Sequence, residues 1–157
     1  MPQIADSGFL VAYWSGRDAH HAWARSIVQE APLLTCVPVL TEAACIIGNP
    51  EPVLQMIVDG DLSADFDIGL HAKYLLLWHK KYADLDPGLA GACVVALADQ
   101  TPHSEVLTTD RRHFAAYRTL AGKSAPLYFS ATRLRSRTQP FRCLLLSRPY
   151  NAKNRAS

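Results

Sequence analysis

Two kinds of apolar block alternate along this chain: short runs that stop at a polar residue, and longer ones whose apolar positions keep helical spacing. Pro2-Gln3-Ile4-Ala5 is the first short run, and it ends at Asp6. Ser7-Gly8 then opens a helix to Trp14, which Ser15-Gly16-Arg17 breaks. Asp18 is placed to cap a second helix over 19–30, whose Ala19, Trp23 and Ile27 share one face. Ala31-Pro32 ends that helix, and 33–37 reads as a short buried strand. Pro38 suits the first turn of the next helix and Gly48-Asn49-Pro50 its end. Between them Val39, Leu40, Ala43, Ala44 and Ile47 form an apolar stripe with Glu42 at its border. A helix over 52–58 stops at Asp59-Gly60-Asp61. Residues 64–68 alternate apolar with acidic, which predicts a half-exposed edge strand with Asp65 and Asp67 in solvent. Leu70, Tyr74, Leu77 and Trp78 then mark a helix over 70–82, and Asp84-Leu85-Asp86-Pro87-Gly88 a turn. The nearly all-apolar 89–98 predicts a helix buried on most sides. Residues 105–109 read as a strand ending at Asp110, followed by a short helix over 111–117. Strands alternating with helices predict an α/β domain with a mostly parallel sheet.

Composition narrows the class. At 157 residues, 49% hydrophobic and 19% charged, the chain is one soluble globular domain's worth. No apolar run approaches the roughly 18 residues of a membrane span, so no membrane partner is expected. Met1-Pro2-Gln3-Ile4 carries no signal core, which makes the cytoplasm the default compartment. Cys36, Cys45, Cys93 and Cys143 are scattered without a C-x-x-C, and read as buried thiols rather than a zinc cage or disulfide framework. The net charge of +2 hides an asymmetry: residues 130–157 hold seven Lys/Arg (Arg133, Arg135, Arg137, Arg142, Arg148, Lys153, Arg155) and no acid. Residues 1–129 hold nine Lys/Arg against fourteen Asp/Glu, a net −5. Such a basic tail suits contact with nucleic acid through phosphate charge, or is a solvated, poorly ordered end, the plainer reading.

Two strands end in Asp, at Asp6 and Asp110. If both are central and parallel, their carboxylates emerge at one edge of the sheet, where open α/β folds bind ligands, and Glu42 is lowered towards them from its helix. Each acid alone is more often a helix cap or a surface charge. Together in one crevice they raise each other's pKa unless a cation holds them. Mg²⁺ suits such a site, being hard, oxygen-seeking and prone to bridge to substrate phosphates. That points to metal-assisted phosphodiester hydrolysis. His20 and His21 point in different directions and make no metal clamp.

The ordered motifs resemble a known family. Ile4-Ala5-Asp6-Ser7-Gly8, Leu40-Thr41-Glu42-Ala43, Lys81-Tyr82-Ala83-Asp84-Leu85, Leu89-Ala90-Gly91-Ala92, Val94 to Ala98 and Leu107-Thr108-Thr109-Asp110-Arg111-Arg112-His113-Phe114 look like PIN-domain ribonucleases, closest to VapC-type toxins of bacterial toxin–antitoxin pairs. The resemblance covers about residues 2–120. It implies a three-layer α/β/α sandwich with a parallel sheet, and Mg²⁺- or Mn²⁺-dependent cleavage of single-stranded or looped RNA. It also implies an antitoxin that blocks the site, and homodimers. Asp6, Glu42 and Asp110 match the family's first, second and fourth acids, which makes them the expected catalytic and metal-holding residues. Asp84 matches a further acid that supports the site. The third acid stands where this chain has Gly91. Domain limits follow: a PIN-like domain over 1–129, with Pro126-Leu127-Tyr128-Phe129 as the last strand, and a tail over 130–157 foreign to the pattern. That tail reads as an appended RNA-binding arm, or as sequence never selected to fold, such as read-through in another frame.

Gly inside a helix costs about 1 kcal/mol against Ala, so nothing local recommends Gly91. Close packing against a backbone would explain it, and so would drift after activity ceased to matter. The loss of a carboxylate predicts impaired hydrolysis that Gly91→Asp restores. Ser7 and Thr109 are the expected hydroxyl partners of the carboxylates, though strand-end capping explains them equally well; Arg111 and Arg112 read as solvated rather than as contacts to an RNA backbone, and His113 has no catalytic part. The rival to a weakened endoribonuclease is a non-catalytic module of the same fold that binds an antitoxin or RNA. No G-x-S-x-G or Cys/His signature supports other hydrolase chemistry.

Overall fold

A computed structural model describes residues 1–27, 29–124 and 127–129. The basic tail, 130–157, lies outside the described residues, as does Pro126 of the expected last strand. The elements run β1 (Gln3–Ala5), α1 (Ser7–Trp14), α2 (His21–Ser26), β2 (Leu33–Leu34), α3 (Val37–Ile47), α4 (Glu51–Val58), β3 (Leu62–Ser63), α5 (Ile68–Lys81), α6 (Leu89–Gln100), β4 (Glu105–Thr108), α7 (Arg111–Ala116) and β5 (Leu127–Phe129). A single 3₁₀ turn, Ala83–Leu85, links α5 to α6. Among the described residues this makes a three-layer α/β/α sandwich around a five-stranded, all-parallel sheet in the order β3-β2-β1-β4-β5. None of its helices is long and apolar enough to cross a membrane.

That strand order positions the site. From β1 the chain moves to β2 on one side, and from β4 to β5 on the other, so the order reverses between the paired strands β1 and β4. Open α/β sheets leave a crevice at such a reversal, beyond the carboxyl ends of the strands. Asp6 follows β1 and Asp110 follows β4.

The apolar pattern accounts for the core. Ile4, Ala5, Val106 and Leu107 are buried in the two central strands, as parallel strands covered on both faces must be. Phe9, Leu10 and Ala12 of α1, Val39 and Ala43 of α3, and Ala92 to Ala96 of α6 pack against them. Trp78, fully buried, satisfies its indole by donating Nε1–H to the Arg118 carbonyl at 2.8 Å. Gly48 ends α3 with φ of 78°, a left-handed conformation that glycine adopts at no steric cost, and its N–H donates to the Ala44 carbonyl.

Several expectations need correcting. The edge strand is Leu62–Ser63, not 64–68; the alternation there belongs to a loop that turns Phe66 into the core. Asp67 is not merely solvated: it caps α5, accepting from the Leu70 N–H at 3.2 Å. The second helix starts at His21 and stops at Ser26, because Asp18 instead folds the turn before it by accepting from the His20 N–H. β2 ends at Leu34, short of 37, since α3 begins at Val37. Cys36 and Cys93 are buried, but Cys45 is exposed on the outer side of α3, and Cys143 lies outside the described residues.

Candidate active site

β1 and β4 pair in register, Ile4 with Val106 and Ala5 with Leu107, and the Asp6 N–H extends the ladder by donating to the Leu107 carbonyl at 3.1 Å. One step further, Asp6 stands opposite Thr108. Neighbouring residues in one row of a sheet point to the same side, so the Thr108 hydroxyl meets the Asp6 carboxylate, donating to Oδ2 at 2.8 Å. The same Thr108 Oγ1 accepts from the Asp110 N–H at 3.0 Å. A single hydroxyl thus joins the two acid-bearing strand ends.

Asp6 occupies the N-cap position of α1 but makes no side-chain cap bond. Its other polar side-chain neighbour is Ser7, whose Oγ lies 3.4 Å from Oδ1, a long contact. Asp6 is 6% exposed, and the groups that act on its carboxylate are Thr108, the Ser7 N–H, Glu42 and Asp110. Burial pushes its pKa up from 3.8 to about 6, against the pull of Thr108 and the Ser7 N–H, and the charges of Glu42 and Asp110 push it further. Those two acids are therefore close enough to be felt at Asp6.

Glu42 and Asp110 are held differently. Glu42 is exposed on α3, the helix that buries Val39 and Ala43. Asp110 performs the ordinary duty of a cap: Oδ1 accepts from the His113 N–H at 3.1 Å, while Oδ2 lies 2.6 Å from His113 Nδ1. The donor set, three carboxylates, suits a hard divalent ion. As placed, however, no three His, Cys, Asp or Glu side chains among the described residues stand close enough together to hold a metal. A ligand set made of Asp6, Glu42 and Asp110 would require these side chains to come closer together.

Gly91 is the third residue of α6, in its first turn. A Cβ built there meets only Tyr117 Cε2, at 3.8 Å, which is ordinary contact. Close packing against a backbone therefore does not explain the glycine. Tyr117 is buried, and burial, then the charges of Asp110, Asp6 and Asp86, push its hydroxyl up to about 12. The ring that borders Gly91 is thus also the one that feels the charges of Asp110 and Asp6.

Of the expected supporting residues, Ser7 touches Asp6 weakly, and the hydroxyl that donates to Asp6 is that of Thr108, the neighbour of Thr109. Thr109 Oγ1 lies beside Gly8, where any added Cβ would collide with it at a point 3.6 Å from Asp6 Oδ2. Asp84 is exposed on the 3₁₀ turn, and the acid of that segment felt by Tyr117 is Asp86. Sequence reading missed Thr108 and Tyr117, and it missed His113 as the partner of Asp110. Thr108 was within reach, since choosing it over Thr109 required only the β1–β4 register.

Beneath the acids, Cys36 and Cys93 are buried together. Their mutual hydrogen bond and burial push the Cys36 thiol up, with a further push from Asp6, which keeps it protonated. Comparison with protein-family models finds no match to this chain, and comparison with curated proteins finds no relative.

Proposed function

We propose that this protein is a divalent-metal-dependent endoribonuclease of the kind its motifs resemble, with activity weakened by Gly91. The observation that carries the reading is Asp6. A buried carboxylate whose charged neighbours Glu42 and Asp110 are themselves acids, excused from capping its own helix and held at a strand end by Thr108, is costly unless it is used. Its place at the reversal of strand order, with Glu42 and Asp110 within electrostatic reach, is where such a fold takes its ligand.

Asp6, Glu42 and Asp110 would hold Mg²⁺ or Mn²⁺. When bound, the ion supplies Lewis-acid stabilisation of charge building on the phosphoryl group and makes nearby water more acidic. Asp6 presents one face to the crevice while Thr108 fixes the other, so its orientation is set before substrate arrives. His113, 2.6 Å from Asp110 Oδ2, would orient that carboxylate. Without a carboxylate at 91 the acidic set lacks one member, which weakens a second ion most. The cytoplasm as working compartment, an antitoxin that covers the crevice and a homodimer belong to the same reading.

The rival, a fold that binds RNA or an antitoxin without cleaving, rests on Gly91 and on the acids' not standing together as a ligand set among the described residues. A labelled single-stranded RNA incubated with Mn²⁺ separates the two. The nuclease reading expects slow cleavage by the natural chain, at least about tenfold more by Gly91→Asp, in line with one added ligand's share of charge stabilisation, and none by Asp6→Asn. If folded Gly91→Asp cleaves no faster than Asp6→Asn, the nuclease reading fails.

A further inference from the structure

Besides the Asp6 crevice, the described residues enclose a half-open cavity of about 250 Å³ at the carboxyl ends of β2 and β3, between the loop over 64–67, the start of α5 and the end of α6. Pockets that bury a drug-sized molecule run to about 300–1,000 Å³. This one therefore suits a single planar ring system, with the rest of its molecule outside. Leu34 of the cavity wall pairs with Ile4, and Thr35 beside it donates its hydroxyl to the Ala5 carbonyl at 3.0 Å. The cavity is thus tied to the residue that precedes Asp6.

Its lining is apolar and edged with acceptors. Phe66 and His71 form a stacked pair, with ring centroids 4.6 Å apart and planes 20° apart, and Leu70 at the rim is 81% exposed, where a bound ring would cover it. Asp65 and Asp67 stand in the same lining, each already oriented. Ser63 Oγ donates to Asp65 Oδ2 at 2.5 Å, and the Leu70 N–H donates to Asp67 Oδ1 at 3.2 Å. A carboxylate has about four lone-pair sites, so both can accept further bonds from a ligand. The lining residues include no lysine or arginine. Such a wall repels a phosphate and favours a flat ring that carries two N–H donors side by side.

Guanine is the base with that pair. Its N1–H and N2 amino group share one edge and meet both oxygens of one carboxylate, whereas adenine and cytosine set their amino groups beside an acceptor nitrogen and uracil holds one N–H between two acceptors. Gln100, also in the lining, has an amide NH₂ that can donate to the guanine O6 or N7. Reading that edge requires an unpaired base.

We propose that this cavity binds a guanine of single-stranded RNA, with Asp65 accepting from N1–H and the N2 amino group, and so selects where the adjoining Asp6 site acts. The selection of a cleavage point rests on the ribonuclease reading; the binding of the base does not.

Guanosine, which has no phosphate for the acids to repel, is the probe, titrated calorimetrically into the full-length chain in EDTA beside adenosine, cytidine and uridine. It should bind at least about tenfold tighter than uridine, the discrimination that one bidentate pair supplies, and in two-dimensional NMR it should move the backbone amides of Ser63, Leu70 and Gln100. Asp65→Asn should lose that preference and gain affinity for xanthosine, whose O2 stands where guanine has its amino group and accepts from the new amide. A misfolded variant gains nothing, so the exchange reports the contact itself. Asp61→Asn, at an exposed acid that does not line the cavity, should leave guanosine binding unchanged.

No binding, equal affinity for all the nucleosides, or a guanosine preference that survives Asp65→Asn overturns the proposal. So does N-acetyl-arginine amide binding at the same amides more tightly than guanosine, which would make the cavity a seat for a basic peptide. If Gly91→Asp cleaves RNA without regard to guanine, the link to Asp6 fails and the nuclease reading stands. Guanosine binding with no cleavage by Gly91→Asp keeps the cavity and defeats the nuclease alone.

Discussion

Burial of Asp6 has a thermodynamic consequence that pH exposes. With a folded-state pKa of about 6 against an ordinary 3.8, the folded chain holds a proton that the unfolded chain has lost. Stability is unaffected below pH 4, falls as pH rises towards 6, and above that carries a penalty of up to about 3 kcal/mol. Asp6→Asn should therefore stabilise the metal-free protein at pH 7.5 by up to about 3 kcal/mol in urea denaturation, and not at pH 4. A loss of stability at pH 7.5 would show that the carboxylate is compensated. Thr108→Val removes a buried hydroxyl with two partners and should cost about 1–3 kcal/mol, while Thr108→Ser should cost less. Thr109→Val should be milder than Thr108→Val; the reverse order would contradict the register argument. The acids were legible because each sits at the end of an apolar strand or beside an apolar helical stripe. Thr108 was not, because a shift of one residue sends a strand side chain to the other face, and only the paired strand decides it.

Two short helical turns govern how the crevice can be rebuilt. The first turn of α6 has no acid and no side-chain cap, and its third position, Gly91, opens beside Tyr117. An Asp there gains from the helix dipole and from leaving glycine, against repulsion from Asp6, so Gly91→Asp should change stability by no more than about 1 kcal/mol. Its Mn²⁺ affinity, read from the free-ion electron paramagnetic resonance signal, should rise at least about tenfold, a gain of roughly 1.4 kcal/mol from one added carboxylate ligand. Equal affinity in the two proteins would mean that position 91 does not face the ion. In α1, Gly8 packs so closely on Thr109 that Gly8→Ala should cost about 1–3 kcal/mol, and Thr109→Ala should recover part of it. Additive losses in that pair would contradict the contact. The longer helices were legible from apolar spacing and from Gly48 and Pro38 at the ends of one of them. β2 and β3 span two residues each, too few to display a period, so an alternating loop beside β3 was mistaken for the strand.

For the molecule as a whole, the parallel sheet and the meeting of two strand ends at one edge followed from the order of elements. The reversal between β1 and β4 could be seen only once pairing was known, because sequence orders the strands in time and not in space. The central proposal is that Asp6, Glu42 and Asp110 share a divalent ion in that crevice; among the described residues they do not stand as a ligand set. Ion binding should also cancel the Asp6 penalty, so Mn²⁺ should raise the melting temperature more at pH 7.5 than at pH 5. Equal shifts at the two pH values would separate the ion from Asp6. The most direct test is anomalous diffraction from crystals grown with Mn²⁺. The account predicts a peak between β1 and β4, within about 2.2 Å of an Asp6 oxygen and joined by Glu42 and Asp110, with His113 displaced from the Asp110 carboxylate. A crystal at millimolar Mn²⁺ with no peak there, and with Asp110 still held by His113, would contradict it.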